Sequence, residues 1–174
     1  MASSRKVIIL QSSARPDGDT ALVCDRVCRG LSADVVTLCQ YTVNPYTYDH
    51  RHRDDDFLSL IDTLLKYDTI VLATPIYWYS MSAQLKAFID RLTDLLQIYK
   101  SQGRALRGKS MMAISVGQVT TTPPHFFTPF QLTADYLGME YLGDTHIDYQ
   151  GLKDDTYSKN VLHTLQEMTN NIST

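Results

Sequence analysis

Short β-branched runs alternate with amphipathic segments along this chain, and that alternation constrains its fold more than any other feature. Val7-Ile8-Ile9-Leu10 has strand length. Residues 20–31 place Val23, Val27 and Leu31 four apart, a helical spacing. Val35, Val36 and Leu38 predict a second strand, and residues 55–66 a helix with Asp54 to Asp56 facing its positive dipole end. Ile70 to Ala73 is a third strand. The clearest helix spans 81–99, where Met81, Leu85, Phe88, Ile89, Leu92, Leu95, Leu96 and Tyr99 form one stripe. Lys86, Asp90 and Asp94 take its other faces. Met111 to Val116 and Tyr141 to Ile147 predict two more strands. Helices fit 126–137 and 155–171, the latter with Tyr157, Val161, Leu165 and Met168 on one side.

Several of these strands are apolar without alternation, so both of their faces are buried. Helices between buried strands predict a parallel sheet covered on both sides. Five strands and five helices in this order fit a flavodoxin-like doubly wound α/β fold, strand order 2-1-3-4-5. Residues 1–174 show no internal repeat or linker and read as one domain.

Composition removes whole classes of function. With 16 basic and 19 acidic residues the formal charge is −3, which argues against a general nucleic-acid binder. No apolar run approaches the roughly 20 residues of a membrane helix. The N-terminal segment leads into only four consecutive apolar residues, so the expectation is a cytoplasmic protein without a signal peptide. Cys24, Cys28 and Cys39 form no C-x-x-C and read as reduced thiols.

In a doubly wound sheet, ligands bind beyond the carboxyl ends of the strands, where the strand order reverses. The first strand runs into Gln11-Ser12-Ser13-Ala14-Arg15-Pro16-Asp17-Gly18-Asp19-Thr20 and then a helix. Hydroxyls, one glycine, one arginine and a helix N-terminus are what a phosphate needs. The same residues also describe an ordinary loop with Asp19 or Thr20 as N-cap, and the local sequence leaves both readings open. It matches neither G-x-G-x-x-G nor G-x-x-x-x-G-K-[ST].

The third strand ends in Thr74-Pro75-Ile76-Tyr77-Trp78-Tyr79-Ser80. Three consecutive aromatics there could line the site of a flat ligand, or in part fill the seam between helix and sheet, Tyr79 above all. The fourth strand ends in Ser115-Val116-Gly117-Gln118, where Gly117 permits close backbone approach. Strands 1, 3 and 4 are neighbours in the expected order, so these three distant loops converge on one crevice.

These residues carry a family resemblance. Ser13, Arg15, Gly18 and Thr20 in an S-x-R-x-x-G-x-T pattern, the segment Thr74 to Tyr79, and Ser82-Ala-Gln-Leu-Lys-Ala-Phe-Ile-Asp-Arg91 resemble the NAD(P)H-dependent FMN reductases of the flavodoxin-like superfamily. The resemblance implies FMN as cofactor and NADH or NADPH as reductant. It places Ser13, Arg15, Gly18, Asp19 and Thr20 at the phosphate, Pro75, Ile76, Tyr77 and Trp78 along the isoalloxazine, and Ser115, Val116, Gly117 and Gln118 at its other side. Hydride passes in this family from nicotinamide to the flavin and on to a quinone-like or other small acceptor, so no side chain need act as acid or base. A homodimer is implied as well.

The chain is also similar to the iron–sulfur flavoproteins, which place a cysteine cluster after the second strand. Here that region, Asn44 to His52, has no cysteine. His50, His52 and Asp54 to Asp56 read as a solvated mixed-charge loop before a helix rather than a metal site. A receiver domain would need acidic residues where Gln11-Ser12-Ser13 and Ala73-Thr74 stand, and a low-molecular-weight phosphatase a cysteine in the first loop. His125, His146 and His163 read as structural or exposed. The rival function is a flavodoxin-like electron carrier, but such carriers are strongly acidic to steer onto basic partners, and this chain is not.

Overall fold

The computed structural model describes residues 5–118 and 121–170, with side chains to residue 167. Five parallel strands form one sheet: β1 (Val7–Gln11), β2 (Asp34–Thr37), β3 (Thr69–Pro75), β4 (Ser110–Gly117) and β5 (Glu140–Asp148). Their order is β2-β1-β3-β4-β5, the doubly wound arrangement expected from the alternation of elements. Register is continuous from Val7 opposite Thr69 to Gln11 opposite Ala73, and from Thr69 opposite Ser110 to Pro75 opposite Val116. The carboxyl ends of β1, β3 and β4 therefore lie side by side.

Successive side chains of a strand point to opposite faces, and each face has its own core. Ile8, Leu10, Ile70, Leu72, Met111 and Ala113 meet α2 (Phe57–Leu64), α3 (Ala83–Gln97) and α5 (Thr128–Leu137). Val7, Ile9, Val71, Ala73, Met112, Ile114 and Val116 meet α1 (Asp19–Leu31) and α6 (Asp155–Asn170). The three central strands are buried almost throughout, whereas the edge strands β2 and β5 are largely half-exposed.

Several local expectations are corrected. Leu38 leaves the second strand and opens a 3-10 turn, Leu38–Gln40, that buries its side chain. The helix expected from residue 55 begins at Phe57. Asp56 turns back to accept the Thr42 N–H at 2.7 Å, and Asp55 accepts those of Asn44 and Phe57. Asp56 thus ties down the preceding loop, whereas Asp55 does so while also meeting the first N–H of α2 at its positive dipole end, as expected. Leu96, placed on the buried stripe of α3, is 39% exposed. Asp94, placed on a polar face, is buried. Residue 171 and the Met168 side chain lie outside what is described.

A short helix, α4 (Lys100–Ala105), has no signature in the sequence, because nothing in KSQGRA is apolar except its last residue. It forms by packing on α3. A β-carbon at Gly103 would stand 2.4 Å from the Leu95 carbonyl oxygen, so only glycine permits the approach.

Arg91 explains the burial of Asp94. Its guanidinium meets Asp94 at 2.7 Å and Asp55 at 2.5 Å, donates to the carbonyls of Asn44 and His52, and lies 4.7 Å from the centre of the Phe57 ring. All three charged side chains are at most 4% exposed. His50 completes the group, with Nδ1 2.6 Å from Asp94 and Nε2 2.9 Å from the Gln97 amide oxygen. The loop between β2 and α2 is thus clasped to α3, and His50 belongs to a charge cluster rather than to a solvated loop. Among the described residues no group of three or more His, Cys, Asp or Glu is arranged to hold a metal ion.

Candidate functional site

The loop after β1 delivers an open helix end. Gly18 occupies the N-cap of α1, and no side chain caps it. Its carbonyl accepts from Ala21 and Leu22, but the N–H groups ahead of them have no side-chain acceptor from the cap. Neither Asp19 nor Thr20 serves as the cap. The Arg15 side chain folds over this end: a β-carbon at Gly18 would be 3.4 Å from Arg15 Nε. Ser13 shapes the turn by accepting the Arg15 N–H at 3.2 Å. Gln11 donates its amide to the Arg15 carbonyl, and its Oε1 is buried with no hydrogen-bond partner among the described residues. A helix N-terminus of this kind, with a guanidinium beside it, favours a bound anion.

The loop is held from below. Ser82 caps α3 by accepting the Leu85 N–H and donates its own hydroxyl to the Ser12 carbonyl at 2.6 Å. Ser12 donates in turn to the Ala73 carbonyl at 2.8 Å, and Thr74 Oγ1 accepts the Ser82 N–H. All of these groups are buried. The ends of β1 and β3 and the start of α3 are therefore locked together beneath the crevice.

Ser13, Arg15, Asp19, Thr20, Pro75, Ile76, Tyr77, Val116, Gly117 and Gln118 line one cavity of about 260 Å³. A larger one of about 620 Å³ adjoins it, sharing Ile76, Gly117 and Gln118 and adding Trp78, Tyr79 and Thr121 to Pro124. The three loops thus meet as expected. One end of the crevice is polar and carries Arg15, and the other is wider and mostly apolar.

Two nominated residues stand apart from the lining. Gly18 lies beneath Arg15. Ser115 is fully buried, and its hydroxyl is 2.8 Å from His146 Nδ1. Tyr79, which could have filled the seam between helix and sheet, is 75% exposed on the cavity rim. Sequence reasoning used Ser82 and Arg91 only as the ends of the family-like segment 82–91 and gave neither a structural role: Ser82 is an N-cap residue at the start of an apolar stripe, and Arg91 is balanced by Asp94 three residues on as well as by distant Asp55. Val119 and Thr120 lie outside the described residues.

Residues 5–122 match the family of NADPH-dependent FMN reductases. The chain belongs to that family. Among curated relatives, YwqN of Bacillus subtilis (strain 168), whose name describes an NAD(P)H-dependent FMN-containing oxidoreductase, is 32% identical over 99 residues, covering 53% of this chain and 54% of the relative. The matched stretch spans about half the length of such relatives. Solved structures agree in fold. An NADPH-quinone reductase from P. pentosaceus superposes with a TM-score of 0.69 at 20% identity, covering 97% of this chain and 99% of the other. General stress protein 14 from Treponema denticola, solved in complex with FMN, gives 0.65 at 19% identity over 94% and 99%. In this FMN reductase family member the crevice lies at the reversal of strand order between β1 and β3, where ligands of doubly wound sheets sit.

Proposed function

We propose that this protein binds FMN non-covalently in the crevice and acts as an NAD(P)H oxidoreductase, with a quinone-like or other small molecule as acceptor. The observation that carries the reading is the uncapped N-terminus of α1 beneath Arg15, at the polar end of a crevice that widens into an apolar mouth. A mononucleotide has that polarity: a dianionic phosphate at one end and a flat ring system at the other. The family match and the FMN complex of a fold relative support the same reading.

Once bound, FMN supplies the hydride relay between reductant and acceptor. The chain's own residues do the rest. Arg15 and the first N–H groups of α1, including that of Asp19, hold the phosphate, and Ser13 and Thr20 line its pocket. Pro75 to Trp78 would form one wall for the ring and Val116 to Gln118 the other. The Gln118 backbone N–H, just beyond the end of β4, and the Gln118 amide are the donors proposed for negative charge on the ring. Ser115 contributes from beneath by fixing β4 to His146.

The homodimer remains part of this proposal. Leu132 is 60% exposed and Tyr136 78% exposed on α5, beside Leu96 of α3, and with Ile89 and Leu92 they edge a groove of about 320 Å³. Apolar side chains so placed on adjacent helices suit an isologous contact. No helix among the described residues is long and apolar enough to cross a membrane. The cysteines are all free, which fits a reducing cytoplasm, and burial pushes the Cys24 thiol up to about 12.

The test is direct. Purified protein is titrated with FMN and FAD, then assayed for NADH and NADPH oxidation with a quinone or ferricyanide. FMN uptake in preference to FAD, and oxidation that requires the flavin, are expected. Parallel double-reciprocal lines are expected too, since reductant and acceptor share one mouth. Protein that takes up no FMN would refute the reading.

A further inference from the structure

The polar end of the crevice carries an anion of its own. Between β1 and the first turn of α1 stand one arginine, Arg15, and two aspartates, Asp17 and Asp19. Asp17 is exposed and does not line the crevice. Asp19 is half-buried, opens α1, and lines the cavity of about 260 Å³ together with Arg15. Among the described residues no other charged side chain lines that cavity.

Arg15 does not neutralise Asp19 by contact. Among the described residues neither side chain has an ion-pair partner, and the Asp19 carboxylate accepts no hydrogen bond. Asp19 serves the ligand-free fold, because an acid in the first turn meets the positive end of the helix, equivalent to about half an elementary charge. A phosphate monoester, with a charge of about −1.5 to −2 near neutral pH, needs that same end. The two anions compete for one partial charge. The backbone N–H of Asp19 attracts the group that its own carboxylate repels.

We propose that Asp19 sets how loosely this protein holds its flavin: the carboxylate opposes the phosphate of FMN, so that the cofactor exchanges with solution instead of staying resident. The inference rests on the FMN reading and adds to it the residue that regulates retention. Removing this one charge acts in opposite directions on two properties. The ligand-free helix loses its dipole partner, and the bound phosphate loses its repulsion. A residue kept only for folding would not tighten binding when it is removed.

The experiment compares wild type, Asp19→Asn and Asp17→Asn, the last with the same change of net charge outside the lining. The first measurement is thermal unfolding of flavin-free protein in inorganic phosphate and in NaCl of matched ionic strength. Asp19→Asn should melt lower than wild type without phosphate and gain more from phosphate, since a ligand of the native state raises the midpoint by mass action. The second is FMN titration at low salt, read by flavin fluorescence. Asp19→Asn should lower Kd at least fivefold and slow the release of FMN on dilution, because a partly buried charge is weakly screened. Asp17→Asn should stay within roughly twofold of wild type, being exposed to solvent. Asp19→Glu keeps the charge and should return the weak binding. Asp19→Ser removes it with a different side chain and should match Asp19→Asn.

The proposal is overturned if Asp19→Asn binds FMN no more tightly than wild type; weaker binding would make the carboxylate an acceptor for a flavin hydroxyl. It is overturned equally if Asp17→Asn tightens FMN by the same factor, which would make the effect one of net charge. Equal gains from inorganic phosphate in wild type and Asp19→Asn would overturn it too. Failure of the FMN reading looks different: none of the proteins takes up FMN, while the phosphate-dependent midpoints still decide whether Asp19 opposes an anion at this helix end.

Discussion

The Ser82 hydroxyl donates to the Ser12 carbonyl at 2.6 Å while accepting the Leu85 N–H at 3.2 Å. One buried side chain thereby caps α3 and fixes the loop that leads to Arg15. Stability and ligand binding are coupled through it. Ser82→Ala removes a cap and strands a buried carbonyl, so a loss of about 1–3 kcal/mol is expected. Urea unfolding measures that loss, and a weaker FMN titration of the same variant measures its effect on the loop. Ser82→Thr keeps the hydroxyl and should recover most of both.

Arg15 is exposed and makes no ion pair among the described residues, so Arg15→Ala should leave the unfolding midpoint where it is. FMN binding should weaken by roughly 1.5–3 kcal/mol, the worth of a charge-assisted hydrogen bond. Flavin fluorescence titration reads this out, and the loss should diminish at high salt as the wild-type attraction is screened.

The clasp around Arg91 makes stability depend on pH in two directions. The hydrogen bond to Asp94 raises the His50 pKa above its ordinary 6.5, against burial, with Gln97 assisting and Arg53 opposing. Tyr46 packs edge-on against the same ring. A raised pKa means that the contribution is complete below 6.5 and is lost as pH climbs through the folded-state value. The gap in urea midpoint between wild type and His50→Gln should therefore be widest near pH 5.5 and shrink toward pH 9. Burial alone pushes the Asp55 carboxyl up, but Arg91 and the N–H groups of Asn44 and Phe57 more than reverse it. Its contribution holds at neutral pH and is lost as acid protonates it, so stability should also fall at low pH.

At Gly103 the Leu95 carbonyl leaves no room for a β-carbon. Gly103→Ala should cost on the order of 1–3 kcal/mol by forcing α4 away from α3, even though alanine is the better helix former. Chemical unfolding checks it.

Light scattering at micromolar concentration should give twice 19.7 kDa. Leu132→Glu, at a side chain 60% exposed in the structure, should halve that mass without lowering the content of helix seen by circular dichroism.

The period of the apolar residues was enough to mark the five strands and the long helices over them, because burial on one or both faces of an element repeats along the element itself, and the alternation of those elements then fitted one strand order. Val7 to Leu10, Ile70 to Ala73 and Met111 to Val116 could be read in that way. So could the three loops that had to meet once the strand order was known. Tertiary structure decided what depends on partners far along the chain. Arg91 and Asp55 are 36 residues apart and Ser12 and Ser82 are 70 apart, so no local pattern announced that these groups would be buried together. Ser115 shares the end of β4 with the lining residues, yet its position on the pleat turns it to His146. The left-handed backbone at Trp78 and Tyr79 opposes their own intrinsic preference. The paired backbone hydrogen bonds between Tyr77 and Ser80 close that turn, and Thr74 and Ser82 hold its far end in place.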